Sequence, residues 1–133
     1  MPQLRTGEAG RLLGVSDDTV RRWVDSGKLP ASRDEVGRVV IEGRDLARFA
    51  QLTATAPELG NPTTESARNR FTGLVTRVLK DTVMAQVEMQ AGPFRVVSLM
   101  SREAADELGL EPGAVTVASV KSTQVVVELV NPR

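Results

Sequence analysis

Apolar positions along this 133-residue chain change their spacing near the middle. Before residue 52 they recur every three or four positions, and beyond residue 66 they alternate. Ala9, Leu12 and Leu13 predict a short helix capped by Thr6 and ended by Gly14 as a C′ glycine. Ser16 opens a second helix, with Asp17 and Asp18 in the first turn where the helix dipole favours carboxylates. Val20, Trp23 and Val24 form its apolar stripe, which assigns Trp23 to the core, and Asp18, Thr19, Arg21 and Arg22 lie opposite. Gly27 stops this helix and Lys28-Leu29-Pro30 turns the chain. Val36 to Ile41 then reads as the turn and return strand of a small hairpin. Arg44 to Phe49 begins a further helix whose Leu46 and Phe49 pack back on Trp23.

Residues 53–65 have neither period and are rich in Pro, Gly and Thr, which marks a linker of at most about 45 Å. Beyond it β-rich segments are predicted: Phe71 to Leu79, Val83 to Met89, Phe94 to Met100, and a final pair, Val115 to Val120 with Val125 to Val130, around Lys121 to Gln124. A short helix capped by Ser101, with Ala104, Ala105 and Leu108 inward, is inserted before Gly109. The expected fold is α+β: a mainly helical domain over residues 1–52, then a small OB-like antiparallel barrel with one helix over 66–133. A barrel of about sixty-five residues buries a thin core and gains stability by association.

Composition removes whole classes of chemistry. Seventeen basic and seventeen acidic side chains leave no net field toward nucleic acid or an anionic membrane. The halves differ by one charge each, with 9 basic and 8 acidic residues through Leu52 and 8 and 9 after it. Without Cys or His there is no disulfide, thiolate nucleophile, usual zinc site or imidazole relay, so an enzyme is not expected. Apolar runs of a few residues and an N-terminus without a signal h-region predict a cytoplasmic protein with no membrane partner.

Two short polar segments carry the remaining chemistry. Ser66-Ala67-Arg68-Asn69 offers a hydroxyl, a guanidinium and a carboxamide, and Lys121-Ser122-Thr123 offers an ammonium and two hydroxyls. A tetrahedral dianion needs several fixed donors and about two units of positive charge, which Arg68 and Lys121 supply only if brought together. Taken singly, the same two residues read as ordinary strand-end charges.

Two helices joined by a glycine turn outline a helix-turn-helix. Thr6-Gly7-Glu8-Ala9, Leu13-Gly14-Val15-Ser16, Thr19-Val20-Arg21-Arg22-Trp23, Gly27-Lys28-Leu29-Pro30 and Asp45-Leu46 together resemble the winged helix-turn-helix of MerR-like and excisionase-like DNA-binding domains. The resemblance implies that the Ser16 helix enters the major groove and that a wing from Arg33 to Arg38 lies against the backbone. Arg21 and Arg22 are then candidates for guanine edges or phosphates, Ser16 and Thr19 for phosphate oxygens, and Lys28, Arg33 and Arg38 for backbone charge. On composition alone these arginines make a solvated helix face.

The second half resembles the molbindin (Mop, TOBE-type) domain. Ser66 to Asn69, Gly73-Leu74-Val75, Thr82-Val83-Met84-Ala85, Leu108-Gly109-Leu110, Pro112-Gly113 and Val120-Lys121-Ser122-Thr123 carry the likeness. It implies molybdate or tungstate held between subunits of a homo-oligomer, dimer or larger, with a hexamer among the options. No metal ligand is implied, because hydrogen bonds hold the oxyanion. Site residues carried over are Ser66, Ala67, Arg68, Asn69, Lys121, Ser122 and Thr123, with backbone near Val83, Met84 and Ser98. Ser122 departs from the alanine common at that position. Together the halves imply a molybdate-responsive, DNA-binding transcription regulator. A molybdate storage protein, or an excisionase-like architectural factor using the barrel to oligomerise, are the alternatives.

Overall fold

The computed structural model of the chain describes residues 2–57 and 66–130. The chain divides into two compact units, Met1–Thr55 and Ala56–Arg133.

The first unit runs β1 (Gln3–Arg5), α1 (Thr6–Leu13), α2 (Asp17–Asp25), β2 (Ser32–Arg33), β3 (Val39–Glu42) and α3 (Gly43–Thr53). Gly14, at φ 73°, ends α1 in the left-handed region, and the Ser16 hydroxyl caps α2 by accepting from the Thr19 N–H, both as expected. Thr6 is not the cap of α1. Arg5 holds that position, its N–H bonded to the Glu8 carboxylate at 3.0 Å, because β1 keeps the backbone extended to Arg5 and buries Thr6 inside the first turn. β1 was not anticipated, since three residues show no period; it pairs with β3 in a sheet ordered β1-β3-β2.

Ala9, Val20, Leu29, Ile41 and Leu46 form the core of this unit, with Trp23 and Phe49 partly buried against it. The Trp23 and Phe49 rings lie 4.8 Å apart at a tilted angle, as the spacing of α2 and α3 predicts. Helix α3 continues through Thr53, one residue beyond the expected boundary, and residues 58–65 of the expected linker lie outside the described residues.

The second unit contains β4 (Asn69–Lys80), β5 (Met84–Ala91), β6 (Phe94–Ser101), α4 (Arg102–Glu107) and β7 (Val115–Val120), followed by a 3-10 turn at Ser122–Gln124. The antiparallel sheet is ordered β6-β5-β4-β7. β4 serves two partners, pairing with β7 over Asn69–Leu74 and with β5 over Leu74–Lys80, and its register slips between Val75 and Arg77. That bulge and Gly73 curl the sheet. A Cβ at Gly73 would stand 2.2 Å from the Gln90 carbonyl oxygen, so only glycine admits this approach.

Val75, Ala85, Val87, Met89 and Ala91 are buried on the inner face, and α4, capped by the Ser101 hydroxyl, adds Ala105. The result is the α+β arrangement expected: a helical first unit and an OB-like curled sheet with one short helix. Its closure differs from expectation. Val125 to Val130 is not paired with β7, which bonds to β4 on one side and forms an edge of the sheet on the other. The chain alone therefore makes a half-barrel, leaving a groove of about 540 Å³ lined by β5 and the two edge strands β6 and β7.

Candidate functional site

The two polar segments meet at one end of the half-barrel. β4 begins at Asn69 and β7 ends at Val120, and these residues are register partners. Ser66, Ala67 and Arg68 lead into this pair, and Lys121, Ser122 and Thr123 leave it. The Asn69 carboxamide donates to the Val120 carbonyl at 3.2 Å, tying the strand ends through a side chain as well as the ladder. Ser66, Arg68, Lys121, Ser122 and Thr123 are exposed, and Ala67 and Asn69 half-buried. The 3-10 turn is held by the Lys121 carbonyl accepting from the Gln124 N–H at 2.9 Å.

Ser98 stands elsewhere on the groove wall, on β6, with Ser119 and Val120 among the residues lining the β7 side. Val83 and Met84 lie at the other end of β4, where Lys80 pairs with Ala85. A strand of 12 residues spans up to about 40 Å. Their N–H groups both donate to the Asp81 carboxylate, at 2.8 and 2.7 Å. Those bonds hold the Asp81 carboxyl below the ordinary carboxylate range. One copy thus gathers Ser66 to Asn69 with Lys121 to Thr123, and leaves Val83 and Met84 apart from them. Asp81 escaped sequence reading, although an Asp two residues before an N–H it caps is a recognisable turn pattern.

In the first unit the candidate nucleic-acid residues fall into two sets. Arg21 donates through Nε to Asp17 at 3.0 Å, and Arg38 through Nε to Asp34 at 3.0 Å. Arg33 donates to the Gly37 carbonyl at 2.7 Å. Asp34 also accepts from the backbone of Arg38 and Val36, and the Arg38 N–H is the main cause of its lowered pKa. The other set is neutral in its bonding. Arg22 Nη2 donates to Thr19 Oγ1 at 3.2 Å, Thr19 Oγ1 lies 2.8 Å from Ser16 Oγ, and Lys28 is exposed.

Comparison with known proteins divides the chain at the same place. Residues 4–51 match the helix-turn-helix domain family and residues 65–127 the TOBE domain family. Molybdenum-pterin-binding protein 2 of Clostridium pasteurianum is 40% identical over 63 residues, 47% of this chain and 93% of that protein. The chromosome-anchoring protein RacA of Bacillus licheniformis is 46% identical over 49 residues, 37% of this chain and 26% of that protein. Among solved structures, a molybdate binding protein from Sporomusa ovata is 30% identical with a TM-score of 0.49, covering 50% of this chain and 100% of its own. Both matched families are binding modules. With nearly the whole length of a molybdenum-pterin-binding protein contained in its second unit, behind a helix-turn-helix domain, this chain belongs to the molbindin (Mop) family.

Proposed function

We propose that the protein is a molybdate-responsive transcription regulator, binding oxyanion through its second unit and DNA through its first. The observation that supports this reading is the Asn69–Val120 pairing, which brings the segments carrying Arg68 and Lys121 to one end of the sheet although 53 positions separate those residues in the chain. Their two charges, the Ser66, Ser122 and Thr123 hydroxyls and the Asn69 amide match the four acceptor oxygens of a tetrahedral dianion. Molybdate and tungstate share that geometry with sulfate, so discrimination falls to cavity size.

The protein works as a homo-oligomer in this reading. Val126, Val127, Leu129 and Val130 are 85%, 87%, 86% and 89% exposed, in a segment from Val125 to Val130 that is apolar except for Glu128 and is left uncovered by the described residues. The groove beside β6 and β7 offers apolar walls and unpaired strand edges, so a second copy's tail completes the barrel. Val83, Met84 and Ser98 reach the oxyanion only if another copy brings them, which makes ligand and assembly mutually dependent. DNA binding places the protein with the chromosome, in the cytoplasm.

Ligand shifts the assembly by as much as it prefers one state; a swing from 1:99 to 99:1 requires about 5.5 kcal/mol, a demand met by several ions per oligomer. Titration with molybdate and, separately, sulfate, followed by native mass and DNA retention in one sample, tests the reading. Molybdate alone should change both. Retention of DNA unchanged at saturating molybdate would remove the regulatory function and favour storage.

A further inference from the structure

Between Ser16 and Arg38 the cations Arg21, Arg22, Lys28, Arg33 and Arg38 are matched in number by Asp17, Asp18, Asp25, Asp34 and Glu35. A recognition surface with no net charge draws little affinity from counterion release, so its few uncommitted donors decide what it binds. Arg21 and Arg38 each already face a carboxylate, and Arg33 is folded onto the carbonyl of Gly37. Arg22 is different: it touches a hydroxyl, which orients a guanidinium without neutralising it.

The bonds form a line along one face of α2. Ser16, Thr19 and Arg22 are three residues apart, so they stack on adjacent turns. A guanidinium only donates, hence Thr19 Oγ1 accepts from Arg22, and it shares a second hydrogen bond with Ser16 Oγ, 2.8 Å away, in which either hydroxyl can donate. Ser16 Oγ also accepts from the Thr19 N–H at 3.1 Å. Arg22 is exposed, so the guanidinium held by this hydroxyl pair presents its remaining N–H donors to solvent.

We propose, on the reading of α2 as the DNA-recognition helix, that Thr19 is a positioning residue that aims Arg22 at a guanine. Guanine presents two acceptors, O6 and N7, on its major-groove edge, and a held guanidinium fork matches them in two parallel bonds. Adenine and cytosine each place an amino donor there, against which a guanidinium, which only donates, is repelled. Arg21 and Arg38, tied to their carboxylates, add little to sequence choice.

The test is selection of duplexes from a randomised pool by the whole 133-residue chain, alongside Thr19→Val, Thr19→Ser and Arg22→Lys, with binding to unselected duplex measured against salt. The wild-type chain should enrich one guanine per half-site. Thr19→Val and Arg22→Lys should each lose about tenfold of that guanine preference with the salt slope on unselected duplex unchanged. Thr19→Ser, which keeps the hydroxyl, should retain it. Full guanine preference in Thr19→Val, or its loss in Thr19→Ser, overturns the positioning role while leaving DNA binding by α2 intact. A wild-type chain that enriches no sequence removes the DNA-binding reading and this proposal with it.

Discussion

Asn69 and Val120, 51 positions apart, are joined at 3.2 Å by a side-chain amide and a backbone carbonyl, and every donor assigned to the oxyanion within one copy lies within three residues of one or the other. That bond ties together the strand ends from which the segments carrying Arg68 and Lys121 depart. Removing either charge should abolish molybdate binding and leave the half-barrel folded. Calorimetry of Arg68→Ala and Lys121→Ala, with circular dichroism as the folding control, checks this. Tight binding by both variants would dismiss the site.

Assembly through the tail predicts that one buried charge is enough to prevent it. Val127→Asp, or a chain ending at Gln124, should weaken association about 100-fold or more, the scale of about 3 kcal/mol for burying a polar group without a partner. Sedimentation at several protein concentrations reads the result. The first unit should keep its wild-type melting transition in such variants.

Gly73→Ala places a methyl group where the Gln90 carbonyl stands 2.2 Å away. Because that neighbour is backbone, β4 or β5 must shift, and a loss of about 1–3 kcal/mol or more follows. Thermal melting of the second unit measures it. Gly92→Ala, where a Cβ meets nothing within 4 Å, supplies a control that carries only the cost of a positive φ.

Asp81 predicts the acid response of the second unit. The N–H groups of Met84 and Val83 favour its charged form, so its folded pKa lies below the unfolded value. Stability from this group is present above the ordinary carboxylate pKa of about 4 and is lost as pH falls through the lower folded value. Denaturant melts from pH 6 to pH 2 should show Asp81→Asn with a flatter decline than wild type. Parallel curves would show that the two N–H bonds contribute nothing to linkage.

Among the cations of the first unit, Lys28→Ala should lower the salt slope of non-specific DNA binding by about one, and Arg38→Ala by less, since Arg38 already faces Asp34. Equal slopes for the two variants would mean that DNA breaks the Arg38–Asp34 pair.

Local signals by themselves determined most of the elements. Gly14 and Ser16 bracket the helix turn, Val20, Trp23 and Val24 mark the buried stripe of α2, alternation locates β5, β6 and β7, and Ser101 starts α4. Each depends on contacts within four or so residues, which is the range over which period and capping act. The donor segments at Ser66–Asn69 and Lys121–Thr123 were legible for the same reason, by their residue types. Tertiary structure decided what long-range pairing alone can decide. β7 pairs with β4 as an edge strand, and Val125 to Val130 stay uncovered although their composition reads as strand; Thr6 is drawn into a helix because β1 pairs with β3. The neutralisation of Arg21 and Arg38 is local in sequence, yet rotamer choice among several nearby carboxylates settles it. Composition states how much charge a surface carries, and only the folded geometry states which charges are already spent on each other.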